Sequence, residues 1–287
     1  MPLSALSLLF LSAIFHVSYH LFYKRGNDKQ IFVWWLLLIS VVAYSPLAVI
    51  KPLQIPRQGW ACILTTSIAE IAYFVSMGKT YQVGDLSVAY PLARGSAPLF
   101  ITFWALLFLR EELTTWGLIG ILSIASGLYL INTRSWKDLW KPLRQLGNPV
   151  SCWALITGFC ISVYSTIDKV GVKYVPPFTY IYVVFLIVLL GFTPYILLSG
   201  RKASIVAEWR ANKVGILFSG IVALLTYYLV LLAMQLSHVS YVGSVREMSI
   251  VLGALAGSVW LGEEYGQIRT LASGLVFLGV LLIGVGG

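Results

Sequence analysis

Long apolar runs separated by short polar segments dominate this sequence. About ten of these runs approach the roughly 20 residues that an α-helix needs to cross a bilayer. The short polar segments between them suit a compact bundle in which consecutive helices run antiparallel. We predict an all-α integral membrane protein with transmembrane helices at 3–22, 31–50, 58–79, 86–109, 113–132, 151–170, 178–199, 212–235, 239–261 and 266–286.

The second half of the chain repeats the first. Laying the motif LGEE (261–264) on LREE (109–112) brings Arg246 onto Arg94 and Gly279 onto Gly127 without a gap. The chain is therefore predicted to hold ten transmembrane helices as two five-helix repeats, and an odd number of crossings gives the repeats inverted orientations. Inverted repeats of this kind place a substrate site at the repeat interface near the bilayer midplane.

This repeat predicts three segments along the chain. Residues 1–132 form the first five-helix repeat, residues 133–150 a linker and residues 151–287 the second repeat. In the linker, Trp136 and Trp140 recur at helical spacing with basic residues between them, which is typical of an amphipathic segment on the membrane surface. A proline interrupts the pattern, so a loosely ordered connection fits equally well.

Composition supports the membrane assignment. Hydrophobic residues make up 59% of the 287 residues and charged residues only 11%, which is more apolar surface than one soluble core would use. Loop residues facing anionic lipid explain the net charge of +9, so no nucleic-acid partner is expected. The sequence contains no phosphate-binding P-loop, so ATP is not expected to drive the protein directly.

Two arginines interrupt apolar stretches at equivalent places in the repeats, Arg94 in YPLARGSAPLF and Arg246 in VGSVREMSIVLG. A charge near the bilayer centre costs about 2.5–3.5 kcal/mol on insertion scales, so it needs a partner, water or a ligand. Because guanidinium offers a planar bidentate fork, we predict that the pair binds a carboxylate or phosphate group of the substrate. The alternative is a structural ion pair, with Glu70 as the natural partner of Arg94.

Glu70 and Glu247 are assigned to coupling or charge balance. Glu70 lies in the middle of the third helix, where it either carries a proton or neutralises an arginine. Glu247 directly follows Arg246, and neighbours on a helix point about 100° apart. The two side chains are therefore not expected to face the same spot.

His16, His20 and Tyr90 complete the predicted substrate-binding set. The two histidines are four residues apart and share a face of the first helix. We expect them to line the cavity, although polar side chains that join this helix to a neighbour would give the same pattern. No third ligand stands nearby, so no metal site is predicted. Further tyrosines are candidates for the cavity wall, although tyrosine is also common at helix interfaces: Tyr73, Tyr164 and Tyr227.

The remaining acidic residues of interest are placed at helix ends and turns. Asp85 is predicted to be a helix N-cap, because its carboxylate follows a glycine at the start of the fourth helix. Asp168 falls at another helix end. Four glutamates repeat at the two matching turns and are interpreted as gate or turn residues at the surface: Glu111, Glu112, Glu263 and Glu264.

The chain resembles a known transporter family over nearly its whole length. The helix endings LREEL and LGEEY, each followed by a glycine-containing helix, and the run SHVSYVGSVREMSIVLGALAGSVWLGEE are similar to the drug/metabolite transporter (DMT) superfamily, in the type with two EamA domains. The runs HVSYHLFYKRGNDK and GDLSVAYPLARGSAPLF resemble bacterial EamA proteins whose substrates are mostly unassigned. One departure is that Gly243 and Ile250 stand where the first repeat has Pro91 and Pro98, so the two helices are expected to bend differently.

Charge and resemblance disagree about orientation in the membrane. Lysines and arginines number about thirteen on the side of the linker and about five on the other side, which by the positive-inside rule puts both termini outside. The resemblance implies that both termini lie in the cytoplasm.

The resulting hypothesis is a secondary active transporter of a small, anionic or zwitterionic metabolite, working by alternating access as one repeat rocks against the other. The alternatives are a multi-pass membrane enzyme acting on a lipid and an uncoupled facilitator. The acidic clusters with which such an enzyme would bind metal have no persuasive spacing here. We expect a bacterial inner-membrane protein, monomeric or homodimeric and without a cofactor, whose partners are its small-molecule substrate and membrane lipids.

Overall fold

The structure is a computed structural model that describes residues 1–50, 54–83, 86–131, 136–140, 144, 147–261 and 267–287. At positions 50, 81–83, 86–91, 138 and 256–261 it describes the backbone alone. Every regular element among these residues is a helix, which confirms the all-α fold class. Eight of the described helices are long and apolar enough to cross a bilayer, and a shorter apolar helix accompanies them. The chain is an integral, multi-pass membrane protein.

The first repeat contains α1 (Leu3–Arg25), α2 (Lys29–Ile50), α3 (Arg57–Val83), α4 (Leu86–Trp104) and α5 (Thr115–Leu130). A π-helical turn, Ala105–Leu109, continues α4, and Arg110 then takes a left-handed conformation with a φ of 51°. Thr114 caps α5, because its hydroxyl accepts a hydrogen bond from the Gly117 amide at 2.9 Å. The fourth helix therefore ends in a tight turn that leads directly into the fifth.

The second repeat contains α6 (Pro149–Gly171), α7 (Pro177–Leu198), α8 (Lys202–Leu236), α9 (Val239–Arg246), α10 (Met248–Leu261) and α11 (Gln267–Gly286). The helices α9 and α10 are the two halves of one predicted membrane segment, interrupted at Glu247. The matching segment of the first repeat, α4, continues without a break at the equivalent position. The two helices thus bend differently, as the sequence predicted. In the linker at 133–150, residues 133–135, 141–143 and 145–146 lie outside the described residues, and the described part includes a 3-10 turn at Trp136–Asp138.

The eighth helix begins earlier than predicted, at Lys202 rather than at residue 212. Asn212 departs from helical geometry (φ −130°, ψ 21°), so the residues before it form a separate arm. The buried Glu208 attaches this arm to the α1–α2 connection, because its carboxylate accepts hydrogen bonds from the Asn27 and Asp28 amides, each at 3.1 Å. Apolar periodicity missed the arm because contacts distant in sequence hold it in place.

The repeats are related by a two-fold pseudo-symmetry that is visible where α5 packs against α11. Gly120 lies against the Gly279 carbonyl, and Gly127 lies against the Ala272 carbonyl. The shift that carries Arg94 onto Arg246 also carries Gly120 onto Ala272 and Gly127 onto Gly279. The two contacts are therefore images of each other, and the small residues allow the helix backbones to approach closely.

Helices from the two repeats are interleaved. In the first packed group, α1 and α2 pack against α8, and α1 also packs against α9 and α10. In the second packed group, α3 and α4 pack against α6, and α3 also packs against α7. The helix α7 in addition packs against α2 and α8 of the first group, so it joins the two groups. The pseudo-symmetry exchanges these groups, because α1 corresponds to α6 and α3 to α8. Each group thus contains helices from both repeats, and α5 and α11 pair beside them.

The bundle has two ends. The terminal side carries the start of α1 and the end of α11, where the Met1 amino group donates a hydrogen bond to the Gly287 carbonyl. The linker side carries the end of α1 and the start of α6. Large apolar side chains such as Phe108 (67% exposed) and Ile68 (68% exposed) face outwards, where lipid would cover them. Charged side chains near the middle of the spans, such as Glu70 and Glu247, are buried instead.

Candidate functional site

A cavity of about 170 Å³ lies at the centre of the bundle, between the two packed groups. Six of the residues predicted to form the site line it: Arg94, Arg246, His16, His20, Glu70 and Glu247. The side chain of the seventh, Tyr90, lies outside the described residues. The cavity extends along α1 from Ser12 to Tyr23, and so from mid-bundle towards the linker side. The structure brings these residues together, and their roles in transport stay predictions.

Glu247 lies between the two arginines. Its Oε2 atom is 3.3 Å from Nη1 of Arg94, and its Oε1 atom is 3.6 Å from Nη2 of Arg246. The Glu247 side chain is only 2% exposed, so solvent screens these charges poorly. One carboxylate therefore joins the equivalent arginines of both repeats into a single charged cluster.

The prediction that Arg246 and Glu247 face different spots is wrong. The helix α9 ends at Arg246 and α10 begins at Met248, so Glu247 occupies a junction between helices. The fixed rotation between neighbours in a continuous helix does not apply there, and both long side chains reach the cavity. The ion pair considered for Arg94 also has a different partner, because Glu247 takes the place expected for Glu70.

Arg246 keeps a free hydrogen-bond donor inside the bundle. Its Nη2 atom is buried and has no hydrogen-bond partner among the described residues, and its contact with Glu247 is too long to supply one. Burying a donor of a charged group without a partner is costly, unless a ligand completes it. Arg246 Nη2 is therefore the atom of the site that most clearly requires an anionic or acceptor partner.

Glu70 faces the same cavity from α3. Its side chain is buried, with 6% exposure, and within the described part of the chain it forms no hydrogen bond or ion pair. A buried carboxylate in this position is expensive in its charged form unless a cation or proton joins it. This environment suits both of the roles predicted from the sequence, coupling and charge balance.

Aromatic rings from α1 form one wall of the cavity. The rings of His16 and His20 stack, with centroids 4.3 Å apart and an angle of 30° between their planes. Tyr19 contacts His16 and Tyr23 contacts His20, with centroids 5.1 Å and 5.2 Å apart. No group of three His, Cys, Asp or Glu side chains with metal-binding geometry occurs in the described ranges. The histidine pair is therefore part of an aromatic surface along the cavity.

Three tyrosines from other helices also form part of the cavity wall. Tyr73, Tyr164 and Tyr227 line the cavity, and the ring centroids of Tyr73 and Tyr164 are 6.1 Å apart. The sequence pattern indicates these tyrosines only as general candidates for the cavity wall. For Tyr164 a specific signal existed, because aligning the first helices of the two repeats places it on Tyr19, which also lines the cavity. No such signal distinguished Tyr73 or Tyr227.

Polar contacts join different helices on the terminal side of the cavity. Lys169 on α6 donates to the Ser237 carbonyl, which follows α8, at 2.8 Å. Glu111 accepts hydrogen bonds from the Val239 amide at 2.7 Å and from the Ser240 hydroxyl at 2.6 Å. Glu111 therefore caps the start of α9 from the other repeat, where a carboxylate is favoured by the helix dipole. These contacts link the two packed groups at this end.

Glu111 also corrects a prediction about the turn glutamates. It is buried, with 8% exposure, and is not a surface residue, whereas the adjacent Glu112 is exposed. Asp168 was placed at a helix end and received no role, yet it is fully buried and accepts hydrogen bonds from three helices. The predictions for Asp85, Glu263 and Glu264 fall outside the described residues.

Comparison with known proteins identifies the family. The sequence model of the EamA-like transporter family matches residues 3–133 and 148–285. The chain therefore belongs to this family, which confirms the resemblance and makes the protein a DMT-type membrane transporter with two EamA repeats. Membership of a transporter family also favours a transporter over an enzyme.

Two further comparisons concern sequence and fold. No curated protein matches the chain in sequence. A crystal structure described only as that of a protein has a TM-score of 0.75 and 17% sequence identity to this chain, over 99% of both chains. At that identity the likeness shows a shared fold, which is thus known from experiment over nearly the whole length.

Proposed function

We propose that this transporter carries a small anionic or zwitterionic metabolite as a secondary active transporter working by alternating access. The observation that carries the proposal is the buried Nη2 atom of Arg246, a residue that lines the central cavity, because this atom has no hydrogen-bond partner among the described residues. A carboxylate or phosphate oxygen is the acceptor that guanidinium binds best. An oxygen atom of the substrate would accept a hydrogen bond from this Nη2 atom.

The charges around the cavity support an anionic group on the substrate. Arg94 and Arg246 both contact the single carboxylate of Glu247, and the contact of Glu247 with Arg246 is too long for a hydrogen bond. The unpaired donor of Arg246 therefore favours an acceptor oxygen on the substrate. A zwitterion would place its carboxylate at Arg246 and its ammonium group towards Glu70, which lines the same cavity.

The dimensions of the cavity support a small substrate. Its volume of about 170 Å³ is below the roughly 300–1,000 Å³ of pockets that bind drug-sized ligands. The ring surface formed by His16, Tyr19, His20 and Tyr23 would pack against the apolar part of a metabolite and offer it hydrogen bonds. We therefore propose His16 and His20 as substrate-binding residues beside the arginines.

We propose that the moving units are the two packed groups. Residues 1–132 and 151–287 remain our proposal for the repeats, but their helices are interleaved, so a rocking of whole repeats would break the α1–α8 and α3–α6 packing. A movement between the packed groups would preserve this packing. The pair Arg94–Glu247 crosses from one group to the other, so its geometry would change as access alternates.

A ligand screen on the purified, full-length protein tests the substrate class. Thermal unfolding would be followed with inorganic phosphate, short dicarboxylates, neutral amino acids and a quaternary ammonium compound. A ligand at 100 times its dissociation constant stabilises the folded state by about 2.7 kcal/mol. We expect an anion or a zwitterion to stabilise the wild type and to lose this effect in Arg246→Gln.

The matched control is Arg57→Gln, which removes an exposed arginine at the start of α3. This variant should respond to the ligand as the wild type does. A response that survives in Arg246→Gln, or stabilisation by the quaternary ammonium compound alone, would exclude the arginine site. A channel-like facilitator is separated by counterflow, because a channel-like path gives no accumulation of labelled substrate against unlabelled substrate.

A further inference from the structure

A further buried carboxylate, that of Asp168, lies behind the cavity wall on the terminal side. Asp168 of α6 is fully buried, and its Oδ1 atom accepts from the Thr66 hydroxyl of α3 at 2.7 Å and from the Tyr180 hydroxyl of α7 at 2.9 Å. The Tyr227 hydroxyl of α8 donates to Oδ2. Asp168 therefore connects four helices through hydroxyl groups alone.

This cluster has more oxygen–oxygen contacts at hydrogen-bond distance than it has hydroxyl hydrogen atoms to occupy them. Thr66 Oγ1 and Tyr180 Oη are also 2.9 Å from each other, so these two oxygens and Asp168 Oδ1 form a triangle with a hydrogen-bond distance on every edge. Thr66 and Tyr180 bring one hydroxyl hydrogen each. With an ionised aspartate, two hydrogens must serve three edges, and one pair of oxygens is left in contact without a hydrogen between them.

One added proton completes the triangle. A proton on Oδ1 is donated to Thr66, whose hydroxyl then donates to Tyr180, whose hydroxyl donates back to Oδ1. Every oxygen of the ring then donates once and accepts once, and Oδ2 still accepts from Tyr227. The arrangement has a place for one proton and gains a hydrogen bond when that proton arrives.

The surroundings of Asp168 do not supply a direct counter-charge. No described lysine, arginine or histidine contacts its carboxylate, and the side chain of the neighbouring Lys169 turns away to the carbonyl oxygens of Met234 and Ser237. The titratable groups that face Asp168 from the elements around it are Cys62 and Glu70 of α3, Tyr180 of α7, Tyr227 of α8 and Arg246 of α9. Arg246, the positive group in this set, is held in its cluster with Glu247.

We propose that Asp168, with Thr66, Tyr180 and Tyr227, is a reversible proton-binding site connected to the central cavity. Tyr227 provides the connection, because it lines the cavity and also donates to Asp168. Ionisable groups inside membrane spans commonly mark proton pathways. The role of this site in coupling rests on the proposed function, whereas proton binding at Asp168 does not.

Proton binding at Asp168 would also act on the movement between the packed groups. Asp168, Thr66 and Tyr180 belong to the second packed group, whereas Tyr227 belongs to the first. A hydrogen bond to an ionised acceptor is roughly twice as strong as one between neutral groups. The proton therefore weakens a contact that joins the groups on the terminal side, which favours separation there.

Infrared difference spectroscopy of the purified, full-length protein tests the site with the proton as the only ligand. Spectra would be recorded between about pH 5.5 and 9, a range in which ordinary carboxyl groups stay ionised and ordinary phenols stay protonated. We expect the C=O band of a protonated carboxyl group to appear on acidification, to vanish in Asp168→Asn and to persist in the controls Glu70→Gln and Glu247→Gln. In Tyr227→Phe the band should persist at a higher frequency, because the C=O group loses a hydrogen bond.

The proposal is overturned if the titrating band survives in Asp168→Asn, if it vanishes in Glu70→Gln, or if no such band appears. Should Asp168→Asn fail to fold, Tyr227→Phe decides, because an unshifted band then belongs to another carboxyl group. No substrate is present in these spectra. Their outcome is therefore independent of whether an anion binds at Arg246.

Discussion

Arg94 of the first repeat and Glu247 of the second form an ion pair across the centre of the bundle, with Arg94 Nη1 3.3 Å from Glu247 Oε2. Arg94 lies in the packed group of α3, α4 and α6, whereas Glu247 lies in the group of α1, α8 and α9. The contact between Glu247 and Arg246 stays within one group. The cluster therefore contains one contact that a relative movement would alter and one that it would leave intact.

Removing the shared carboxylate should destabilise the protein. Glu247→Gln removes the carboxylate charge that both guanidinium groups contact, and breaking a buried ion pair typically costs about 3–5 kcal/mol. The double variant Arg94→Gln/Glu247→Gln removes both members of one pair, so its loss of stability should be smaller than the sum of the single losses by about 0.5–3 kcal/mol. Unfolding in detergent measures all four corners of this cycle, and strict additivity would show that the pair does not interact.

The packing of α5 against α11 should discriminate between two glycines of the same helix. A Cβ atom at Gly279 would lie 2.5 Å from the Gly120 carbonyl oxygen, whereas one at Gly274 would have nothing within 4 Å. Because the Gly120 backbone cannot yield as a side chain does, Gly279→Ala should lower the free energy of unfolding by about 1–3 kcal/mol. Gly274→Ala serves as the control and should be neutral or slightly stabilising. Equal effects of the two substitutions would contradict this packing.

Two adjacent glutamates should differ in the same way. Glu111→Ala removes the acceptor for the Val239 amide and the Ser240 hydroxyl, and leaving a buried donor unsatisfied costs about 1–3 kcal/mol. Glu112→Ala changes an exposed side chain and should shift stability by less than about 0.5 kcal/mol. Thermal unfolding of both variants makes the comparison, and a neutral Glu111→Ala would show that α9 needs no cap from the first repeat.

Much of the fold follows from the sequence because a bilayer leaves few solutions. An apolar run of sufficient length must be a helix, so the spans from α1 to α7 begin within a few residues of their predicted positions. The arm before Asn212 was missed because Glu208, which is distant in sequence from its partners Asn27 and Asp28, stabilises it. The interleaving of helices was likewise invisible, since periodicity contains no information about which helices are neighbours.

The charged residues of the candidate site could be predicted because each lies in an otherwise apolar run. Arg94 and Arg246 stood out because charge in an apolar run is costly, and their equivalence in the repeats placed both in one cavity. The position of Glu247 was not predictable, because it depends on a helix break that no proline or glycine pair announces. Asp168 escaped attention because a residue near the end of a span looks solvent-accessible until the helices around it are known.

The orientation of the chain gives a further test. The excess of basic residues on the linker side predicts that this side is cytoplasmic and that both termini are outside. A fluorescent protein fused after the last residue should stay dark and an alkaline phosphatase fused there should be active. The reverse pattern would support the orientation that the family resemblance implies, and the central cavity would then extend towards the outside in this conformation.

Counterflow in proteoliposomes tests the central claim most directly, with the anion or zwitterion that stabilises the wild type as the labelled substrate. We predict that label accumulates transiently in vesicles loaded with unlabelled compound, that Arg57→Gln behaves as the wild type does, and that Arg246→Gln lowers the initial rate at least about tenfold, the equivalent of losing one charge-assisted hydrogen bond of about 1.4 kcal/mol. Transport by Arg246→Gln at the wild-type rate, or vesicles without counterflow, would contradict an anion-binding carrier built around this arginine.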